Sequence, residues 1–306
     1  MITGVMTLEE TLKDYPGEVR FEEPVAPYTS LKIGGPAEAI VFPKSEREVS
    51  ILMKCIARDR LPYFVLGGGS NLIVRDAGIP GIVIHLKYLN RIIFQEPDIL
   101  LADAGVLYPR LATAALEKGL SGLEFAVGIP GTVGGAVAMN AGIPGDETAS
   151  VLKSVTLIDE EGAVRRFAKE EIRFGYRTAA LPRGVVTAAS FRLIPATVPQ
   201  IDEKFRRLLK RRRETQPLSL PSFGSVFVNP PGDFAGRLIE SVGLKGYRIG
   251  DAQISEKHAN FIVNLGKASS EEVLALIETA RERVVRERGV RLELEAKVVG
   301  RGKQCR

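Results

Sequence analysis

Residues 128–142 read GIPGTVGGAVAMNAG and constrain this chain more than any other stretch. It holds five glycines, one proline and no charged residue, so it makes a poor solvated linker. Gly128, Ile129, Pro130, Gly131 and Thr132 lead it, and Gly134, Gly135 and Gly142 follow. Main chain so bare of side chains lets a large flat or phosphorylated ligand approach the backbone closely. A second stretch of the same character, Gly67, Gly68, Gly69, Ser70 and Asn71, lies between the apolar runs Tyr63–Leu66 and Leu72–Val74. A glycine turn between two strands is a natural diphosphate cradle, and two such loops in one chain point to a nucleotide cofactor. Neither G-x-G-x-x-G nor G-x-x-x-x-G-K-[ST] is present, so a Rossmann unit and a P-loop are both unsupported. The uncharged character of the longer stretch predicts that something flat and aromatic packs on it.

At 306 residues the chain has room for about two domains. Its net charge, 42 − 37 = +5, favours anionic ligands without implying nucleic acid. Cys55 and Cys305 supply neither a disulfide framework nor a metal set, so no metal is expected and a reducing cytosol fits. The first residues, MITGVMTLEETLKD, carry acids where a signal peptide needs an apolar core. No apolar run approaches the roughly 18 residues that span a bilayer. The expectation is a cytoplasmic protein without membrane insertion and with no obligatory protein partner.

Periodicity predicts a helix over Glu46–Arg58, with Val49, Leu52, Met53 and Ile56 on one face. Strands are predicted at 63–66, 72–74, 82–86 and 99–103, then a helix over 108–118 running into the glycine stretch. Segments 151–159 and 185–195 predict an antiparallel sheet. Composition changes at Ile194–Ile201, which contains two prolines, and a domain boundary is placed near residue 197. A basic helix over 204–213 follows, then a strand at 225–229, a helix at 234–242 and strands at 260–264 and 291–299. Between the last two lies a helix opened by a Ser269/Glu272 capping box and closed by Gly289, with Val273, Leu276, Ile277, Ala280 and Val284 inward.

Several side chains could carry chemistry. Arg177 follows Tyr176 in a loop, where an arginine is ordinarily a surface ion-pair partner. Ser225 follows Gly224 and opens the predicted strand. A nucleophilic serine needs a base, and the chain offers only His85 and His258 and no G-x-S-x-G elbow. Ser225 as a proton donor stays open. Glu293, Glu295 and Lys297 share one face of the predicted last strand, and they are surface charges unless that face meets a cleft. His258 precedes a strand and is ordinarily structural. The 204–213 run is by default a solvated helix face, and with Phe205 alone among its aromatics it makes a poor nucleic-acid module.

Eight blocks, taken in order, resemble one family. They are TSLKIGGPA (29–37), LGGGSNLIV (66–74), 122–142, FGYR (174–177), 216–230, GLKG (243–246), SEKHANFIVN (255–264) and 295–300. The chain is similar along nearly its whole length to the UDP-N-acetylenolpyruvoylglucosamine reductase family of bacterial cell-wall precursor synthesis. The resemblance implies an α+β fold. Two subdomains, split near 90–100 within residues 1–197, would hold FAD noncovalently in the vanillyl-alcohol-oxidase/PCMH-like manner. Residues 198–306 would form a smaller α/β substrate-binding domain. NADPH would reduce the flavin and leave. UDP-N-acetylglucosamine-enolpyruvate would then accept hydride at carbon 3 and a proton at carbon 2, giving UDP-N-acetylmuramate.

Carried over by position, Ser225 matches the family's proton donor, Arg177 the arginine near the substrate carboxylate, and Glu295 the catalytic glutamate. Positive charge from Arg177 and Lys297 would stabilise the enolate-like species that hydride addition creates. Glu295 would act protonated or orient its neighbours. Lys245 would contact the UDP portion, with Tyr176, Asn229 and His258 also at the substrate. Tyr28 and Val228 depart from the asparagine and lysine common in the family. The short stretch after FGYR implies the type lacking an extra tyrosine-bearing loop, with a more open cleft. The rival reading is another FAD-dependent oxidoreductase of the same fold acting on a small alcohol. Such enzymes often bind flavin covalently, but neither His85 nor Cys55 adjoins a glycine loop, so no covalent link is expected.

Overall fold

The computed structural model describes residues 7–95 and 97–302. Cys305 lies outside them. The chain forms two compact units, each built from separated segments. The first comprises the residues through Phe21, Ala39–Gly68 and Gly81–Lys210; the second comprises Glu22–Glu38, Gly69–Pro80 and the chain from Arg211 on. Residue 197 therefore falls inside the first unit, at the foot of helix Val198–Thr215. Leu31, Ile33 and Ile73 come from early sequence yet bury in one core with Phe223, Phe227 and Leu276. That shared core is why two early segments belong to the second unit.

A four-stranded sheet runs in the order Glu18–Pro24, Pro36–Phe42, Ile79–His85, Tyr63–Leu66. Helix Glu46–Asp59 buries Val49, Leu52, Met53 and Ile56, the four residues its periodicity selects. Ser45 caps its start by accepting from the Glu48 amide, and Arg60 ends it in the left-handed region. A five-stranded antiparallel sheet follows, in the order Val164–Ala168, Leu152–Asp159, Gly184–Arg192, Ile99–Asp103, Ile92–Gln95. Helix Tyr108–Glu117 packs into the core around Phe125, Val133 and Phe191. The basic helix starts at Val198 rather than at 204. Its apolar residues Phe205, Leu208 and Leu209 lie against this same core, and Arg206, Arg207, Arg211 and Arg213 are exposed. The prolines that suggest a linker include Pro199, in the first turn, where a missing amide hydrogen costs nothing.

The second unit has a three-stranded antiparallel sheet, Arg248–Ile249, Ala252–Ile254 and Ile262–Asn264, with helices Ala235–Ser241 and Ser270–Arg288. The capping box at Ser269 and Glu272 is formed in both directions. Val273, Leu276, Ile277, Ala280 and Val284 are all buried, and Gly289 closes the helix at φ 69°. Two predicted strands are not regular. Residues 225–229 make a single antiparallel rung, Phe227 opposite Leu294, flanked by bonds from Glu295 N–H to Val226 C=O and from Val228 N–H to Glu293 C=O. Of 291–299 only Lys297–Val299 is strand, paired in parallel with Leu72–Val74. The segment changes partner between Glu295 and Lys297, so neither partner supports a long ladder. Among the described residues, no helix is long and apolar enough to cross a membrane.

Candidate functional site

The two glycine stretches meet backbone to backbone within the first unit. A methyl group added at Gly68 would stand 2.6 Å from the Gly131 Cα, and one at Gly67 would stand 2.9 Å from the Thr132 hydroxyl. One at Gly134 would stand 2.9 Å from the Ala104 Cβ. Much of the glycine content thus serves contact between these segments. The longer stretch is also not wholly loop, because Val133–Ala138 forms a short helix. The Val133 and Gly134 amides are bonded to the Val106 and Ala104 carbonyls and are not available to a ligand. Gly135 differs: the nearest atom to an added methyl there is the Thr132 hydroxyl, at 3.6 Å.

Gly67, Thr132, Gly134 and Gly135 line an open cleft of about 140 Å³. Its other walls come from His85–Lys87 and Ala104–Gly105 at strand ends, with Gly184 and Val186. The cleft is glycine-bounded and has Lys87 among its lining residues, and bare main chain and positive charge are what a diphosphate needs. His85 corrects an expectation. It pairs in register with Leu66 in the parallel ladder of Tyr63–Leu66 and Ile79–His85, so it does stand beside the first glycine loop. Parallel strands finish together, and ligands collect at their carboxyl ends; that rule would have found both His85 and Lys87. Burial, and then the Lys87 ammonium, hold the His85 imidazole down at about 4, so it is neutral near pH 7. The Lys87 ammonium lies 3.7 Å from the Phe42 ring centre and 4.8 Å from that of Tyr88.

Arg177 also belongs to the first unit. Its φ of 53° puts it in the left-handed region, uncommon for a side-chain-bearing residue. The guanidinium donates to the Gly142 carbonyl at 3.1 Å and lies 5.4 Å from the ring of Tyr176, which is exposed. Ile129 is partly buried against the core, Pro130 is exposed, and Gly128 ends the short helical turn that begins at Glu124.

The second unit gathers the other residues around Gly69, Ser70 and Asn71. Gly69 adopts φ 59° with its Cα pressed against Tyr28 and Thr29. A methyl at Gly224 would lie 3.7 Å from the Ser70 carbonyl, so the turn bearing Ser225 sits against this loop. The Asn71 amide donates to the Glu295 carbonyl at 3.2 Å, and the Asn71 carbonyl accepts from the Lys297 N–H. Asn260 locks the Ser225 side by exchanging two bonds with the Phe227 backbone, at 3.0 and 2.8 Å. Ser225, Glu295, Lys297 and Asn71 are thereby knitted into one small region. Since 291–296 is not a ladder, strand alternation does not set the faces of Glu293, Glu295 and Lys297.

Three further residues have structural ties. Asn229 accepts from the Ala235 amide at 3.0 Å, at the start of helix Ala235–Ser241. Lys245 pairs with Glu240 at 2.9 Å. His258 accepts from the Asn260 amide through Nδ1, so the neutral ring carries its proton on Nε2, and burial lowers its pKa. Val228 uses its amide within the single rung, and Tyr28 donates to Glu23 at 2.8 Å.

Comparisons with known proteins give two family models along the chain. Residues 37–168 match the family model described as FAD binding domain, and residues 216–299 match that described as UDP-N-acetylenolpyruvoylglucosamine reductase, C-terminal domain. The UDP-N-acetylenolpyruvoylglucosamine reductase of Moorella thermoacetica is 45% identical over 286 residues, 93% of this chain and 94% of that one. Reductase 2 of Symbiobacterium thermophilum is 45% identical over 96% of both. The crystal structure of the Thermus caldophilus reductase superposes with a TM-score of 0.79 at 40% identity, covering 93% of this chain and 99% of that one. A BBE-like protein of Physcomitrella patens, TM-score 0.50 and 15% identical, covers 91% of this chain and 60% of that one and shares the fold alone. The fold is the α+β one of vanillyl-alcohol-oxidase/PCMH-like flavoproteins with an added C-terminal domain, and the chain belongs to the UDP-N-acetylenolpyruvoylglucosamine reductase family of FAD-dependent oxidoreductases.

Proposed function

We propose that this chain reduces the enolpyruvyl ether of UDP-N-acetylglucosamine-enolpyruvate to UDP-N-acetylmuramate with NADPH as reductant, holding FAD noncovalently. Bound FAD supplies the hydride, taken from NADPH and delivered to carbon 3 of the enolpyruvyl group. Every other task falls to side chains and main chain of the protein. The cleft at Gly67, Thr132 and Gly135 holds the cofactor, with Lys87 offsetting diphosphate charge. Arg177 faces the substrate carboxylate, on which electron density accumulates as hydride arrives, and fixed positive charge lowers that barrier. Ser225 gives its hydroxyl proton to carbon 2, a step that needs a short path more than a strong acid. Glu295 orients the groups around Ser225, and Lys297 adds positive charge near it. Lys245, His258, Asn229 and Tyr176 complete the substrate contacts in this reading. A nucleotide-linked substrate and NADPH place the enzyme in the cytoplasm.

The observation that carries the reading is the linkage of Ser225, Asn71 and Glu295. The Glu295 N–H bonds to the residue after Ser225, and its C=O bonds to the glycine loop of the cofactor motif. A proton donor, a carboxyl group and a cofactor loop are thereby held in one frame. Ser225→Ala tests it. Reduction of the flavin by NADPH should stay within about twofold, while reoxidation by the enolpyruvyl substrate slows by about 10³-fold or more. Equal loss in both half-reactions would make the serine structural. Because His85 lines the cleft, the small-alcohol-oxidase alternative is tested directly by acid precipitation. Yellow colour should leave with the supernatant, and colour retained in the pellet refutes noncovalent binding.

A further inference from the structure

Arg177 is held by a frame that starts deep in the core of the first unit. The Tyr108 hydroxyl, fully buried, is 2.9 Å from that of Thr148, which bonds the Ala141 carbonyl at 2.8 Å. The Thr148 amide bonds the same carbonyl. One residue back stands Asn140, 3% exposed and left-handed at φ 41°, a conformation asparagine tolerates better than most side chains. Its carbonyl oxygen accepts from the Ala149 amide at 3.0 Å, and its NH₂ donates to the Gly175 carbonyl at 3.2 Å. One partner is a donor and the other an acceptor, so only this orientation of the amide satisfies both. Two residues after Asn140, the Gly142 carbonyl accepts from the Arg177 guanidinium at 3.1 Å. The 140–142 segment therefore grips the Gly175–Arg177 turn twice, once at its backbone and once at the guanidinium.

We infer that Asn140 is a positioning residue for Arg177. Its amide fixes the Gly175 carbonyl and with it the left-handed turn from which Arg177 projects. Arg177 sits in a sparsely populated backbone region, and such a residue stays there only when its surroundings over-determine it. The Gly175–Thr178 rung closes the turn locally, while the Asn140 and Gly142 bonds tie it to the 140–142 segment; losing the Asn140 bond lets the turn and its guanidinium shift against that segment. A misplacement of about 1 Å is worth up to about a hundredfold in rate. This inference rests on the proposed role of Arg177 toward the substrate carboxylate.

The test uses FAD-loaded full-length protein. Asn140→Gly keeps the left-handed backbone and removes both side-chain bonds. Asn140→Asp keeps the acceptor for Ala149 and replaces the donor with an oxygen facing the Gly175 carbonyl. Arg177→Gly and the double variant Asn140→Gly/Arg177→Gly complete a cycle. Expected for both Asn140 variants is flavin reduction by NADPH within about twofold of the parent and reoxidation by substrate slower by about tenfold to a hundredfold. Asn140→Asp should recover relative to the parent as pH falls, because a protonated carboxyl regains the donor. In the Arg177→Gly background, loss of Asn140 should add less than about twofold. Full multiplication of the two effects, or equal slowing of both half-reactions, overturns the positioning role. A normal reoxidation rate in Arg177→Gly alone overturns the prior assignment of Arg177, a failure separable from that of Asn140.

Discussion

Two glycines that look alike in the sequence should respond oppositely to alanine. At Gly68 the added methyl would meet the Gly131 Cα at 2.6 Å and its carbonyl carbon at 3.2 Å. Carbon atoms rest at about 3.5–4.0 Å, so the two glycine segments must part by roughly 1 Å. Both contacts are main chain and cannot rotate away. Overpacking of this kind costs about 1–3 kcal/mol, and the separation widens the cradle that both segments form. At Gly135 the nearest atom is 3.6 Å away, an ordinary contact, and the position lies inside helix Val133–Ala138. Alanine there gains about 1 kcal/mol of helix propensity over glycine, yet its methyl projects into the cleft. Gly68→Ala should therefore lower both the melting temperature of flavin-free protein and its affinity for FAD. Gly135→Ala should keep or raise that melting temperature, by about 2–4 °C, while weakening FAD binding about tenfold or more, equivalent to about 1.4 kcal/mol. Thermal unfolding of apoprotein and quenching of flavin fluorescence on titration measure the two quantities separately. Undiminished FAD affinity in Gly135→Ala would refute the assignment of this cleft to the cofactor. An unchanged melting temperature in Gly68→Ala would refute the tight contact of the two glycine segments.

Glu295→Gln retains the size and most of the hydrogen-bonding shape of the glutamate, so reoxidation by substrate should slow less than in Ser225→Ala, with flavin reduction spared. A loss as large as that of Ser225→Ala would show that the carboxyl itself takes part in proton transfer. The His85 imidazole sits at about 4 in the folded protein against an ordinary 6.5. Between those values the unfolded chain binds a proton that the folded one does not, so stability falls as pH drops through that window and is unaffected above it. The difference is on the order of 2 kcal/mol between pH 7.5 and 5. Urea unfolding of apoprotein at the two pH values should show that loss, and His85→Gln should remove it. Equal pH dependence in both proteins would mean that other groups carry the effect.

What the sequence makes legible here is what depends on neighbours along the chain. Helix Ser270–Arg288 is readable to its caps because a capping box, a 3.6-residue apolar period and a terminal glycine all act within a turn or two. The 291–299 segment misleads because alternation reports a half-buried extended chain without reporting that its partner changes after Glu295. His85 escapes for the same reason: its proximity to Gly67 exists only through parallel pairing across the intervening residues. The glycine stretches announce close approach, but composition does not say to what, and the structure spends Gly67, Gly68 and Gly134 on other protein atoms. Where such loops cannot form ladders, their polar main chain still needs partners, and asparagine side chains supply them. Asn71 reaches the Glu295 carbonyl, Asn140 the Gly175 carbonyl and Asn260 both backbone groups of Phe227. Each stands in a motif block near a proposed catalytic residue yet has a long-range structural partner. An asparagine within such a motif block, whether glycine-rich as at 71 and 140 or not as at 260, is therefore a sequence signal for a staple between irregular segments, and here the staples hold the turns that carry Ser225, Arg177 and Glu295.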